Sequence, residues 1–222
     1  MTIRTTARIA GFFYLLVFVT GIPALFVLGR ILVRDPAATA ANILAHESLF
    51  QLGWVCNLLS TVWYVVVTGL FYQIFKPASK VVSLTAAFFS LVGCAINGVA
   101  SVFQLVPLVL LKDTQFSSFA PSQLQALAYA FLKVGGGNVS LVFFGFYCLL
   151  IGYLILNSTF LPRFVGVGMV IAGLGWLTFL WPPLSRSLSP YNLLPGIAGE
   201  GLLTLWLLVM GVNVERWKEQ AQ

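Results

Sequence analysis

Glu200 is the residue best placed to do chemistry in this 222-residue chain, because it alone interrupts the last apolar stretch, Tyr191 to Val214. A carboxyl inside a spanning run is expensive in lipid. It faces a bundle interior or a wet cavity, where it binds a proton or a ligand or ties helices together. Burial disfavours its charged form and a nearby cation favours it. Gly196, Gly199 and Gly201 remove side-chain bulk around it, so that a neighbouring backbone can come close.

Polar residues at helical spacing supply surroundings for such a group. Ser90, Cys94, Asn97, Ser101 and Gln104 fall on one stripe, since steps of three and four return to the same helix face. Asn57, Ser60 or Thr61, Tyr64, Thr68 and Tyr72 make a second stripe, and Lys133, Gly137, Ser140 and Tyr147 a third. In a membrane bundle these stripes either glue helices, at about 0.6 to 2 kcal/mol per hydrogen bond, or line a path for a substrate.

Other chemistries lack their parts. His46 is the only histidine, which removes His-rich zinc sites and the HExxH helix. The two aspartates, Asp35 and Asp113, lie between apolar runs, so no buried aspartyl pair forms. Cys56, Cys94 and Cys148 are far apart in apolar sequence and read as packing residues. Gly166-Val-Gly168 with Gly173 and Gly175 lies inside a spanning run without the preceding strand a dinucleotide site requires, so it reads as helix packing. No catalytic set, metal site or cofactor site is expected. A His46–Glu47 general-base pair, or Glu200 itself, is what an intramembrane enzyme would have to use.

The elements that must position these groups follow from composition. The chain is 59% hydrophobic and 8% charged, with a mean hydropathy of +0.97, whereas soluble domains carry about 25% charged residues. The net charge of +6 comes from Lys and Arg placed singly or in pairs between apolar runs. That pattern suits lipid head groups and not nucleic acid, which needs a clustered basic face. Membrane lipid is therefore the expected partner, with a small-molecule ligand beside it.

A hydrocarbon core of about 30 Å takes about 20 helical residues to cross. The sequence predicts an all-α integral membrane bundle of about six transmembrane helices in one domain over residues 1–222, at 9–32, 48–75, 81–111, 134–158, 162–182 and 192–214. The first run is too long for a cleaved signal, whose apolar core is about 7 to 15 residues, and is read as a retained helix. Arg4, Arg8, Lys76, Lys80, Arg163, Arg216 and Lys218 would lie on one side, and Arg30, Arg34, Lys112, Lys133 and Arg186 on the other. The positive-inside rule then places both termini in the cytoplasm. Two longer outer links carry Pro36-Ala-Ala38 and Pro121-Ser-Gln123, and a proline suits a first helical turn, so short interfacial helices are expected on the outer face. Several of the six tryptophans fall near the predicted membrane surfaces, as an aromatic belt would.

With this topology Gln51, Asn57, Asn97, Gln104, Lys133, Asn138 and Glu200 all fall in the outer half, with His46 and Glu47 at the mouth. Packing alone gives no reason for that concentration. The expectation is an outward-facing polar cavity around Glu200, with Asn57, Asn97, Gln104, Lys133 and Asn138 as its ligand-binding residues. Lys133 is a candidate partner for Glu200, which lies about eight residues, or roughly 12 Å of rise, along its helix.

Several phrases carry a resemblance over nearly the whole chain: Arg4-Thr-Thr-Ala-Arg-Ile-Ala-Gly11, Phe50-Gln-Leu-Gly53, Leu141-Val-Phe-Phe-Gly-Phe-Tyr147 through Gly152-Tyr-Leu to Phe160-Leu-Pro-Arg163, and Gly199-Glu-Gly-Leu-Leu-Thr-Leu-Trp-Leu-Leu-Val-Met-Gly211. Together they resemble the bacterial membrane-protein family catalogued as domain of unknown function 4386. The resemblance implies a six-helix bundle in a bacterial inner membrane. This chain departs from the family's pattern at Ser90, where an Arg is frequent, and at Gly135-Gly-Gly137, where a His often precedes the Asn. The functional expectation is a membrane protein that binds or transports a small molecule, lipid or proton through the Glu200 cavity. The alternatives are the intramembrane enzyme and a membrane scaffold or interaction subunit.

Overall fold

A computed structural model describes residues 2–116, 118–136 and 138–222. The regular elements among them are all helical: α1 (Ile3–Ile31), α2 (Pro36–Ala45), α3 (Glu47–Phe75), α4 (Lys80–Lys112), α5 (Pro121–Gly135), α6 (Val139–Leu156), α7 (Arg163–Leu177), α8 (Pro182–Leu188), α9 (Leu193–Val209) and α10 (Val214–Gln220), with short 3₁₀ turns at Thr114–Phe116 and Thr178–Leu180. By length and composition five segments can cross a membrane: α1, α3, α4, the run Pro121–Leu156 and Arg163–Leu180. A sixth follows if α8 and α9, bent by 82° across the break between Leu188 and Leu193, count as one broken span. Large apolar side chains such as Phe26, Phe88, Val99 and Leu205 stand exposed along these helices. Water would drive such surfaces together, whereas lipid solvates them, so the chain is built as an all-α membrane protein.

Several boundaries differ from the sequence expectation for local reasons. α1 starts at Ile3 rather than residue 9, because the apolar run marks only the lipid-length part of a helix that continues through Arg4 and Arg8. The fourth expected span, 134–158, falls on the run Pro121–Leu156, in which α5 ends at Gly135 and α6 begins at Val139. Gly135 closes α5 and Gly136 caps it, as glycine's low helix propensity favours, and Lys133 therefore sits in the last turn of α5 instead of opening the span. The expected 162–182 helix stops at Leu177, and Pro182-Pro183 start α8 separately, since neither proline has an N–H to continue the earlier ladder. The last span ends at Val209, short of residue 214, because Gly211 takes φ 70° and turns the chain into α10. Helices do begin at Pro36, where the Asp35 carboxylate accepts the Ala38 N–H at 2.6 Å, and at Pro121, where the Gln123 side chain accepts the Ala120 N–H at 3.0 Å. Gly137, counted in the third polar stripe, lies outside the described residues.

The chain folds into two compact units, each assembled from separate stretches of sequence. The first is Met1–Leu16, Val62–Ala95 and Asn138–Gln222. Its centre is α7, packed between α6 and α9 through glycine pairs. A Cβ on Gly145 would press on the Gly173 carbonyl, one on Gly152 on the Gly166 carbonyl, and one on Gly199 would collide with the Gly168 carbonyl. Helices this close gain dispersion and carbonyl contacts that larger residues would prevent. At one end of this unit the Arg8 guanidinium donates to the Val209 carbonyl at 3.2 Å, while Trp217 of α10 donates to the Ile74 carbonyl at 2.8 Å. Both chain ends therefore lie at the same end of the unit.

The second unit is Val17–Thr61 and Ile96–Gly137. Ile31, Ile43, Phe50 and Leu132 form a buried cluster in it, flanked by Val27, Leu28, Leu32, Leu108 and Leu111. α2 and α5 pack on each other there.

Candidate functional site

Glu200 lies in the first unit, in the third turn of α9, and only 6% of its surface is exposed. Four helices send a side chain to its carboxyl group. Tyr14 of α1 donates its hydroxyl to Oε2 at 2.6 Å, and Tyr64 of α3 donates to the same oxygen at 3.1 Å. The Trp176 indole N–H of α7 donates to Oε1 at 2.5 Å, and the Cys148 thiol of α6 lies 3.5 Å from Oε1. The tight α7–α9 contact makes this reach possible, because the Trp176 ring occupies the space that a Cβ on Gly196 would need.

The chemistry of these donors limits what the site can hold. Indole nitrogen is a donor only, so Oε1 must offer it a lone pair. A metal ion would need lone pairs where Trp176 and Cys148 present hydrogens. Among the described residues no group of three His, Cys, Asp or Glu side chains stands together as a metal site. The Oε2 side is different: Tyr14 and Tyr64 hydroxyls are also 3.2 Å apart, so three oxygens make three mutual contacts of hydrogen-bond length. Two phenols bring two hydrogens to this triangle. A third, on Glu200, makes all three contacts hydrogen bonds. The triangle can thus accommodate the carboxylate with two donors, or the carboxylic acid with a complete ring.

The remaining expected site residues are distributed between the units. Asn57, Asn97, Gln104 and Lys133 belong to the second, and Asn138 to the first. Asn57 donates to Ser101 Oγ at 2.9 Å, Asn97 donates to Thr61 Oγ1 at 2.7 Å, and Ser101 donates to the Asn97 carbonyl at 2.9 Å. Trp54 adds a bond to the Ser101 carbonyl at 2.8 Å. These stripes of α3 and α4 thus satisfy one another across the helix pair. Gln104 donates to the Gly135 carbonyl at 3.1 Å, at a point where α4 and α5 backbones nearly touch. Exposed Lys133 lies over the Tyr129 ring at 5.0 Å, and Asn138 is an exposed residue preceding α6. Glu47 is held by Lys112 at 2.8 and 2.9 Å and by Gln51 at 3.1 Å, so it has partners other than His46.

Glu200 stands out in the sequence, but its donors do not. Tyr64 falls in a polar stripe, Trp176 is one aromatic of several, Cys148 reads as a packing thiol, and Tyr14 belongs to none of the expected stripes. The signal for Tyr14 is a phenol hydroxyl within the apolar run of the first helix, which needs a buried partner there.

A family model described as Domain of unknown function (DUF4386) matches residues 9–211. An uncharacterised protein of Archaeoglobus fulgidus is 28% identical over 150 residues, covering 66% of this chain and 76% of its own length. No solved structure matches the chain.

Proposed function

We propose, for a chain that belongs to the DUF4386 family, that it is a multi-pass protein of a cytoplasmic membrane which binds or transports a small molecule or lipid with a proton, and that Glu200 carries the proton. The observation behind this reading is the oxygen triangle of Tyr14, Tyr64 and Glu200, which suits both protonation states of a carboxyl buried within spanning helices. Intramembrane carboxyls with this freedom are the working parts of proton relays. The break between α8 and α9 supports the same reading. Discontinuous helices gather at transport sites because their unpaired backbone groups meet ions and solutes there, and Glu200 follows this break by two turns. Both termini, which share one end of their unit, are assigned to the cytoplasm on the Lys and Arg count.

The test is infrared titration of the purified protein in lipid. The carboxylic C=O band present in wild type and missing from Glu200→Gln is expected to rise and fall with pH, and native mass spectra are expected to show a small molecule or lipid retained by wild type and lost with that change. If wild type and Glu200→Gln share every titrating band and retain the same molecules, Glu200 only joins helices and the reading is wrong.

A further inference from the structure

The Tyr147 hydroxyl on α6 is buried, with the whole residue 1% exposed, and has no hydrogen-bond partner among the described residues. A buried phenol left so costs about 1–3 kcal/mol, and a catalytic role is one of the reasons such a group persists in a native structure. Its ring lies between two rings of α3, 5.8 Å from Tyr64 and 6.5 Å from Phe71. The α3 residue between those two levels on the polar stripe is Thr68, whose hydroxyl is 2.6 Å from Ser90 Oγ of α4. Thr68 and Ser90 are themselves buried. About two turns along α4 from Ser90, the Ser83 hydroxyl donates to the Tyr72 carbonyl at 3.3 Å, and beyond it stand exposed Lys76 and Lys80. Polar groups thus continue from the carboxyl toward one end of this unit, and Tyr147 stands at the only step of this series whose hydroxyl lacks a described partner.

We propose that Tyr147 is a positioning and relay residue through which Glu200 exchanges its proton with the Thr68–Ser90 pair, and from there with water at the Lys76–Lys80 turn. The inference rests on Glu200 being the proton carrier. In the loading direction Glu200 gains one proton from its hydroxyl neighbour while that oxygen gains one from the next donor, Tyr147 or a water held by it. The Thr68–Ser90 pair returns a proton to Tyr147 and takes one from hydronium at the surface, which becomes water, so every hydroxyl ends neutral and one proton has moved inward. The titratable groups facing Glu200 and Tyr147 are Tyr14 of α1, Tyr64 of α3, Cys94 of α4 and Cys148 of α6. Because Ile74 carries the Trp217 contact, the route opens at the end that holds both termini. Exchange with one side only is what a coupled carrier requires of a resting state.

The experiment follows hydrogen–deuterium exchange of the Glu200 carboxylic band in lipid after transfer to heavy water. Tyr147→Phe keeps the ring and removes only the hydroxyl. It is expected to slow exchange by roughly tenfold or more, with Thr68→Val and Ser90→Ala slowing it as well. Thr178→Val, near the α8–α9 break where Asn192 contacts Thr178 at 3.3 Å, is expected to leave the rate unchanged. Equal rates in wild type and Tyr147→Phe would overturn the relay, and so would slowing by Thr178→Val but not by Thr68→Val or Ser90→Ala. A wild-type protein with no titrating Glu200 band would overturn the proton-carrier reading itself, a result distinct from unchanged exchange of a band that titrates.

Discussion

Trp176 and Glu200 meet across the α7–α9 contact, where the indole N–H reaches Oε1 at 2.5 Å and the ring fills the space left by Gly196. The bond and the close packing depend on each other. Without the glycines α9 would stand farther from α7, and without the carboxyl the buried indole N–H would lose its acceptor.

Replacing Trp176 by Phe keeps most of the ring contact and removes the donor. The loss is expected to lower stability by about 1–3 kcal/mol. Thermal unfolding in detergent measures it, and a double-mutant cycle with Glu200→Leu should show coupling, since both changes remove the same bond.

The donor geometry sets an order among Glu200 variants. Glutamine can turn its carbonyl to Trp176 and its amide hydrogens to the phenol oxygens, which accept as well as donate. Glu200→Gln should therefore stay within about 1 kcal/mol of wild type. Glu200→Leu leaves the Trp176 N–H without an acceptor and should cost more, by about 1–3 kcal/mol. Equal melting temperatures for the two variants would contradict the hydrogen-bond assignment.

Gly199 and Gly201 are neighbours of Glu200 with opposite surroundings. A methyl on Gly199 would collide with the Gly168 carbonyl and Ala172, whereas a methyl on Gly201 meets nothing within 4 Å. Gly199→Ala is expected to destabilise by about 1–3 kcal/mol or more through overpacking. Gly201→Ala should be neutral or stabilising by up to about 1 kcal/mol, from helix propensity. Parallel melting curves decide between these outcomes.

The Lys112–Glu47 pair is a different kind of contact, with side chains 52% and 32% exposed. Solvent screening leaves such pairs about 0–1 kcal/mol. Lys112→Ala should therefore shift the melting temperature little, and less still in high salt.

The cytoplasmic assignment of both termini yields a direct measurement. Alkaline phosphatase fused after Gln222 is expected to be inactive, and a fluorescent protein that folds only in the cytoplasm is expected to be bright. A periplasmic signal from the C-terminal fusion would reverse the assignment.

That the chain is helical and made for lipid was legible from residue order alone, because apolar runs long enough to cross a bilayer leave backbone groups no partner except within a helix. Glu200 was legible too, since one acid in such a run is conspicuous whatever surrounds it, and so were Pro36 and Pro121 as helix starts. What Glu200 touches depends instead on tertiary packing. Tyr14, Tyr64, Cys148 and Trp176 come from four helices, and apart from Tyr64 on its polar stripe each resembles in sequence an ordinary packing or lipid-facing residue. Their selection depends on which faces α7 and α9 bring together through Gly168, Gly196 and Gly199, a choice made by close backbone approach.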